Sequence, residues 1–150
     1  MILDALLQVS DAQAVTDTDA YSTNTIDLGN VTPKRQIGDG EDMCFMVTVD
    51  VAAASGAGTV EDQFDFLAVQ SVNADLSSHT VMQQRRVPVA ELVAGAIVVV
   101  DIPPGRPTAR YIGMRYEVAA GDTITVSAWL LPKSFVTKLK DYAKGYVITG

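Results

Sequence analysis

One cysteine, one histidine, one tryptophan and only 11 bases against 18 acids set the first limits on what this chain of 150 residues does. A lone cysteine, Cys44, permits no internal disulfide, so the core must hold the fold. A lone histidine, His79, rules out a histidine-based metal cluster, and any nucleophile, histidine and acid arrangement would have to use that residue alone. The formal charge of -7 argues against a surface that neutralises phosphates, because such binding rests on clustered Lys and Arg. Nucleic acid is therefore not an expected partner. No apolar run is long enough to cross a bilayer, and the Met-Ile-Leu-Asp start lacks the basic residues and long apolar core of a secretory signal. No membrane partner is expected, and synthesis in a reducing cytoplasm is.

With 48% of its residues apolar, the chain can bury one full core, and its length suits a single domain spanning 1–150. Charge is spread unevenly. Met1 to Pro33 carries five acids and no base, whereas Lys133 to Gly150 carries Lys133, Lys138, Lys140 and Lys144 against Asp141. Two readings follow: solvated termini, or ends that dock on oppositely charged neighbouring subunits.

The clearest structural statement lies in Arg110 to Leu131, where two alternating runs flank Gly121 and Asp122. In the first, Ile112, Met114, Tyr116 and Val118 share a face; in the second, Ile124, Val126, Ala128 and Leu130 do. The pattern predicts a β-hairpin pairing Val118 with Ile124, Tyr116 with Val126 and Met114 with Ala128. That register sets Trp129 opposite Gly113 on the outer face, either as a cover for bare backbone or as a contact awaiting a partner.

Elsewhere the strands are short and turn residues recur. Met1 to Ser10 has Leu3, Leu6 and Leu7 at near-helical spacing but is too short for a stable helix, and Ser10 to Thr18 is small and polar, so residues 1–19 read as an N-terminal arm. Tyr21 to Leu28 reads as a weak, peripheral strand and Gly29 to Asp42 as a loop. Met43 to Val51 is a strong strand, with Met43, Phe45, Val47, Val49 and Val51 inward and Cys44 on the less buried face. Ala52 to Gly58 is a flexible tip. Gln63 to Val72 is a strand whose alternation slips at Phe66 and Leu67, indicating a bulge or burial of both faces. Thr80 to Val87 reads as an edge strand guarded by Arg85 and Arg86, and the apolar run Ala96 to Ile102 as one lying deep in a sheet. Residues 132–150 form a C-terminal tail in which Phe135, Leu139 and Tyr142 share a face of one or two helical turns. The whole predicts an all-β fold, a jelly roll or β-sandwich of antiparallel strands.

Candidate chemistry is sparse. His79 sits in a turn-like segment and is assigned no role. Asp39, Glu41 and Asp42 make a dense acidic loop without the spaced carboxylates of a calcium loop, and the Gly38-Asp39-Gly40 and Gly56-Ala57-Gly58 triplets do not open a helix after a strand as phosphate cradles do. Asp62 and Asp65, like Glu61 and Asp62, have no visible partner to perturb them. No catalytic residue, cofactor or metal is expected, and the chain is not expected to be an enzyme.

Several short motifs carry a resemblance. Ser10-Asp11-Ala12-Gln13-Ala14-Val15, Ser22-Thr23-Asn24 with Ile26-Asp27-Leu28-Gly29, Leu92-Val93-Ala94-Gly95, Pro104-Gly105, Arg110-Tyr111-Ile112 and Tyr116-Glu117-Val118, in that order, resemble the jelly-roll capsid cement (decoration) proteins of short-tailed bacteriophages, the Bordetella-phage type. The resemblance runs from near the N-terminus to about Leu131. It implies a structural virion protein on the outer surface of the assembled head, made in the bacterial cytoplasm, that bridges neighbouring major capsid protein subunits. It also implies self-association, a homodimer in preference to a homotrimer. Aromatic anchors dominate the energy of such contacts, so the candidate interface residues are Tyr111, Trp129, Phe135, Tyr142 and Tyr146, with Lys138 and Lys140 in the basic tail. The alternative is a carbohydrate-binding jelly-roll module of a phage adhesin, for which one tryptophan makes a poor platform; a cupin-like enzyme would need several histidines.

Overall fold

A computed structural model describes residues 3–30, 37, 40–56 and 62–137. Among them the strands are β1 (Gln8–Thr16), β2 (Ala20–Tyr21), β3 (Ile26–Asp27), β4 (Met43–Ala54), β5 (Gln63–Ser71), β6 (Thr80–Pro88), β7 (Ile97–Ile102), β8 (Tyr111–Glu117) and β9 (Thr123–Pro132). They form two antiparallel sheets, one ordered β1-β9-β4-β7 and the other β2-β8-β5-β6, with β3 also pairing β8. The chain changes sheet after β1, β3, β4, β6, β7 and β8, which is the double Greek-key winding of a jelly roll. The all-β sandwich expected from the sequence is the observed fold.

The two sheets meet through the dry faces of their strands. Val9, Val15, Phe45, Val47, Val49, Val98, Val100, Ile102, Ile124, Val126, Ala128 and Leu130 come from the first sheet and Phe64, Phe66, Ala68, Ile112, Met114 and Tyr116 from the second. Phe66 and Tyr116 meet edge to face, their centroids 6.0 Å apart. Burying one side chain of this size stabilises by about 1.5–3 kcal/mol, so this layer provides most of what holds the fold.

The expected hairpin is not formed. β8 and β9 alternate as read, but they lie in opposite sheets, β8 beside β5 and β9 between β1 and β4. Residues between Glu117 and Thr123 carry the chain across the sandwich instead of turning it back. Both strands present one dry face, and facing each other across a core satisfies that pattern as well as lying side by side does. Trp129 accordingly stands next to Gln8 and Met46, not opposite Gly113. Gly113 is covered by Leu76, whose Cδ1 would lie 2.7 Å from any Cβ placed there.

Other readings shift for identifiable reasons. The polar Ser10 to Thr18 stretch lies largely in β1, an edge strand whose register with β9 slips twice, the second slip straddling Ala12 at φ +42. It buries Val15 in the core together with Ser10, which shares a hydrogen bond with Tyr116 inside the sandwich. The peripheral strand read at Tyr21 to Leu28 is present as β2 and β3, separated by the bends at Thr23 and Asn24. Val51 is 59% exposed, because β4 slips register between Val49 and Val51. The slip read in β5 is burial of both faces, Leu67 and Val69 packing outward with Leu76, together with a register shift against β6 at Ala68 and Val69.

β6 is an edge strand as expected, with Arg86 making a two-pronged salt bridge to Asp65. β7 is also an edge strand rather than a central one, pairing β4 alone among the described residues. Its apolar run reflects cover on both faces: Val98, Val100 and Ile102 face the core, and Ile97 and Val99 pack outward with Cys44, Met46, Leu131 and Val136. That same outer cluster buries Cys44 completely, although it does point away from the main core. Burial, assisted by nearby Asp101, pushes its thiol up to about 11.

Candidate functional site

The outer face of the first sheet ends in an apolar groove. Trp129 projects outward from β9 by simple alternation, and Leu131, two residues on, joins the outer cluster while Leu130 fills the core. Pro132 closes the strand and residues 133–137 make a helical turn. That turn is tied down by Lys133 N donating to Asp42 O at 2.8 Å, by a Lys133–Asp101 ion pair at 2.8 Å, and by Ser134 Oγ donating to Glu41. Val136 is thereby laid over Cys44, and Phe135 is left 43% exposed beside Trp129. The opposite wall is N-terminal. Asp4 caps the short 3-10 turn Ala5–Leu7 by accepting from Leu6 N at 2.9 Å, which sets Leu3 and Leu7 facing the same space. Leu6 projects from this turn at 86% exposure.

The groove encloses about 370 Å³ and is walled chiefly by Leu3, Leu7, Trp129, Leu131 and Phe135, with Asp4 at its rim. It offers desolvation and shape, so what it can do is hold apolar side chains of another surface.

Tyr111 belongs elsewhere. It lies on the outer face of the second sheet, packed with Leu67, Val69, Leu76 and Tyr21, and Arg110 stacks on its ring at 4.9 Å while making bonds of 2.9 and 2.7 Å to Asp27. Trp129 and Phe135 are brought together, and Tyr111 is on the other side of the sandwich. Lys138, Lys140, Tyr142 and Tyr146 lie outside the described residues, as do Leu139 and most of the Gly29 to Asp42 loop. Leu3 and Leu7, the wall that sequence reading missed, had a signal in the leucine spacing of the first ten residues.

Around Tyr111 the second sheet carries a polar network. Arg115 donates to Tyr21 Oη at 3.0 Å, to Asp19 at 2.9 Å and to Glu117 at 2.9 Å, and Tyr21 Oη in turn is 2.8 Å from His79 Nδ1. Among the described residues no three His, Cys, Asp or Glu side chains converge as they would around a metal ion. Among the described residues one buried carboxylate oxygen, Asp122 Oδ2, has no hydrogen-bond partner, while Oδ1 accepts from Gly56 N at 3.0 Å where the Gly56 and Gly121 backbones touch.

Comparison with known families places the jelly roll. The Bbp16 family model matches residues 9–128, four-fifths of the chain. The chain belongs to the Bbp16 family. This is a bacteriophage-related family, and the match runs from the start of β1 well into β9. No curated protein matches the chain. Every residue lining the groove falls outside the matched stretch: this member of the family builds the groove from its two flanks, on a body that carries the family likeness.

Proposed function

We propose that this Bbp16-family protein is a structural component of a bacteriophage particle that binds the outer surface of the assembled head and stabilises it by bridging neighbouring major capsid protein subunits. The observation that carries the reading is the apolar groove that Trp129 and Phe135 both line on the outer face of the first sheet. Such a concave aromatic patch is the kind of feature that anchors a protein contact. The net charge of -7 supports an outward position, since an acidic body is repelled by packaged DNA. Work is done by contact and not by catalysis. A stable contact buries on the order of 1,000 Å² or more, and many copies engaged on one shell multiply modest contacts into a firm hold. We further propose a homodimer, the commonest closed symmetric assembly, which presents two grooves to two capsid subunits.

Co-sedimentation with purified heads tests this. The wild type is expected to pellet with heads and raise their resistance to heat, and Trp129→Ala and Phe135→Ala, checked for native circular dichroism, are expected to lose at least tenfold in affinity. Undiminished binding by both variants would remove the groove from the contact. Deleting residues 138–150 tests the lysine-bearing tail without stripping Val136 from over Cys44. Failure to bind heads together with binding on a glycan array would favour the carbohydrate-binding alternative.

A further inference from the structure

On the second sheet, the connection between β5 and β6 folds over the outer face and is locked from within. Ser71 Oγ donates to Ser77 O at 2.6 Å, Asn73 Nδ2 donates to Ser77 Oγ at 3.0 Å, and Ser77 N donates to Asp75 Oδ1 at 2.9 Å. Within it, Leu76 and Ser78 adopt φ of +60 and +54, a region side chains disfavour, and Leu76 is driven to 0% exposure against the bare backbone of Gly113. A lid held in a disfavoured conformation needs an anchor at its far end. That anchor is His79, the last residue before β6, bonded through Nδ1 to Tyr21 on β2.

The protonation state of the anchor follows from its neighbours. Arg115 can only donate, so the Tyr21 oxygen accepts from it, and the arrangement that strands no proton has the Tyr21 hydroxyl donating to Nδ1 of a neutral His79. Protonating Nδ1 turns it into a donor. The phenol oxygen then faces two cationic N–H groups, and its own proton loses the acceptor it had. The charged groups facing His79 are Arg115, which opposes protonation, and Glu117, which favours it; Asp19 is engaged on the far side of Arg115. Burial and then Arg115 prevail over Glu117, and the imidazole is held below its ordinary value.

We propose that Val72 to His79 is an acid-released lid: neutral His79 latches it to Tyr21 over Gly113, and protonation of His79 frees it and uncovers the apolar surface of Leu67, Val69 and Tyr111. The sign is set by the closed state preferring the neutral ring. The latch is complete above the free-histidine value of about 6.5 and weakens as pH falls below it. Each unit by which the closed state depresses His79 changes the closed-to-open ratio by about tenfold. This device is independent of what the groove on the other sheet binds.

His79 is the single histidine, so its ring resonances in an NMR titration are unambiguous. The midpoint is expected below 6.5, the Leu76 methyl resonances should shift with that same midpoint, and amide protection over residues 72–79, corrected for intrinsic exchange, should fall from pH 7.5 to pH 5, by up to about tenfold for each unit by which the midpoint lies below 6.5. His79→Asn, which sets a carbonyl oxygen near the place of Nδ1, should keep the lid protected at both pH values. Tyr21→Phe should leave it at pH 7.5 as exchange-prone as the wild type is at pH 5. An unshifted His79 midpoint, Leu76 resonances that ignore it, or acid loosening that persists in His79→Asn would each overturn the proposal.

Discussion

Inside the sandwich, Tyr116 Oη and Ser10 Oγ are 2.7 Å apart, and Ser10 Oγ donates onward to Gln13 Oε1 at 2.8 Å. Since Ser10 spends its proton on Gln13, Tyr116 must be the donor to Ser10. The two single deletions are therefore unequal. Tyr116→Phe removes a donor and leaves Ser10 still bonded to Gln13, which costs about 0.5–1.5 kcal/mol for one net hydrogen bond. Ser10→Ala leaves the Tyr116 hydroxyl sealed in the core without an acceptor, which costs about 1–3 kcal/mol in desolvation. Gln13 does not add to this, because its Oε1 also accepts from Thr23 N at 3.1 Å and Thr23 Oγ1 at 3.0 Å. In the double variant no group is stranded, so its cost should fall to about that of Tyr116→Phe alone, a coupling of about 1–3 kcal/mol. For a chain of this size 1 kcal/mol moves Tm by about 2–4 °C, so urea unfolding of all four proteins, with m unchanged, resolves the order. Finding Ser10→Ala no worse than Tyr116→Phe, or simple additivity, would refute the assigned proton direction.

Cys44, raised to about 11 by burial and then by Asp101, should resist a thiol reagent at pH 8 in the folded protein and react fully in urea; comparable rates in both would show that Val136 and the 133–137 turn do not seal it. Leu76→Ala should cost about 2–5 kcal/mol in chemical unfolding. Leu76→Gly should cost no more than that, reversing the usual order, because glycine relieves the strain at φ +60. The Arg86 guanidinium beside Asp65 holds its carboxyl below the usual carboxylate range, so the pair's stabilisation is present at neutral pH and is lost as acid protonates Asp65. With Arg86 61% exposed, Asp65→Asn should cost less than about 1 kcal/mol at pH 7, and the deficit should vanish in acid unfolding curves well below pH 4.

Part of the groove was legible and part was not. Alternation along the strand turns Trp129 outward, and Phe135 stands among the candidate contact residues of the tail as an aromatic on a helical face. Their adjacency was not legible, because it depends on Pro132 ending β9 and on Lys133 being pinned by Asp42 and Asp101, residues some 90 and 30 positions away in the chain. Leu3 and Leu7 join only because β1 lies beside β9. Tyr111 was grouped with Trp129 on the assumption that their strands paired, and the sheet crossing puts the two on opposite outer faces.

By itself the sequence determined the all-β class, the inward faces of β8 and β9 and of β4 as far as Val49, and the guarded edge at β6, because a period of two and the placement of turn residues are local properties that any packing must respect. The pairing of strands was decided by tertiary structure alone. A dry face can be buried beside a neighbour in one sheet or against a partner across the sandwich at nearly equal gain in apolar area, so β8 and β9 were free to part and β7 to lie at an edge. Backbone hydrogen bonding carries no side-chain signature to distinguish the two, and only the closure of the whole core chooses between them.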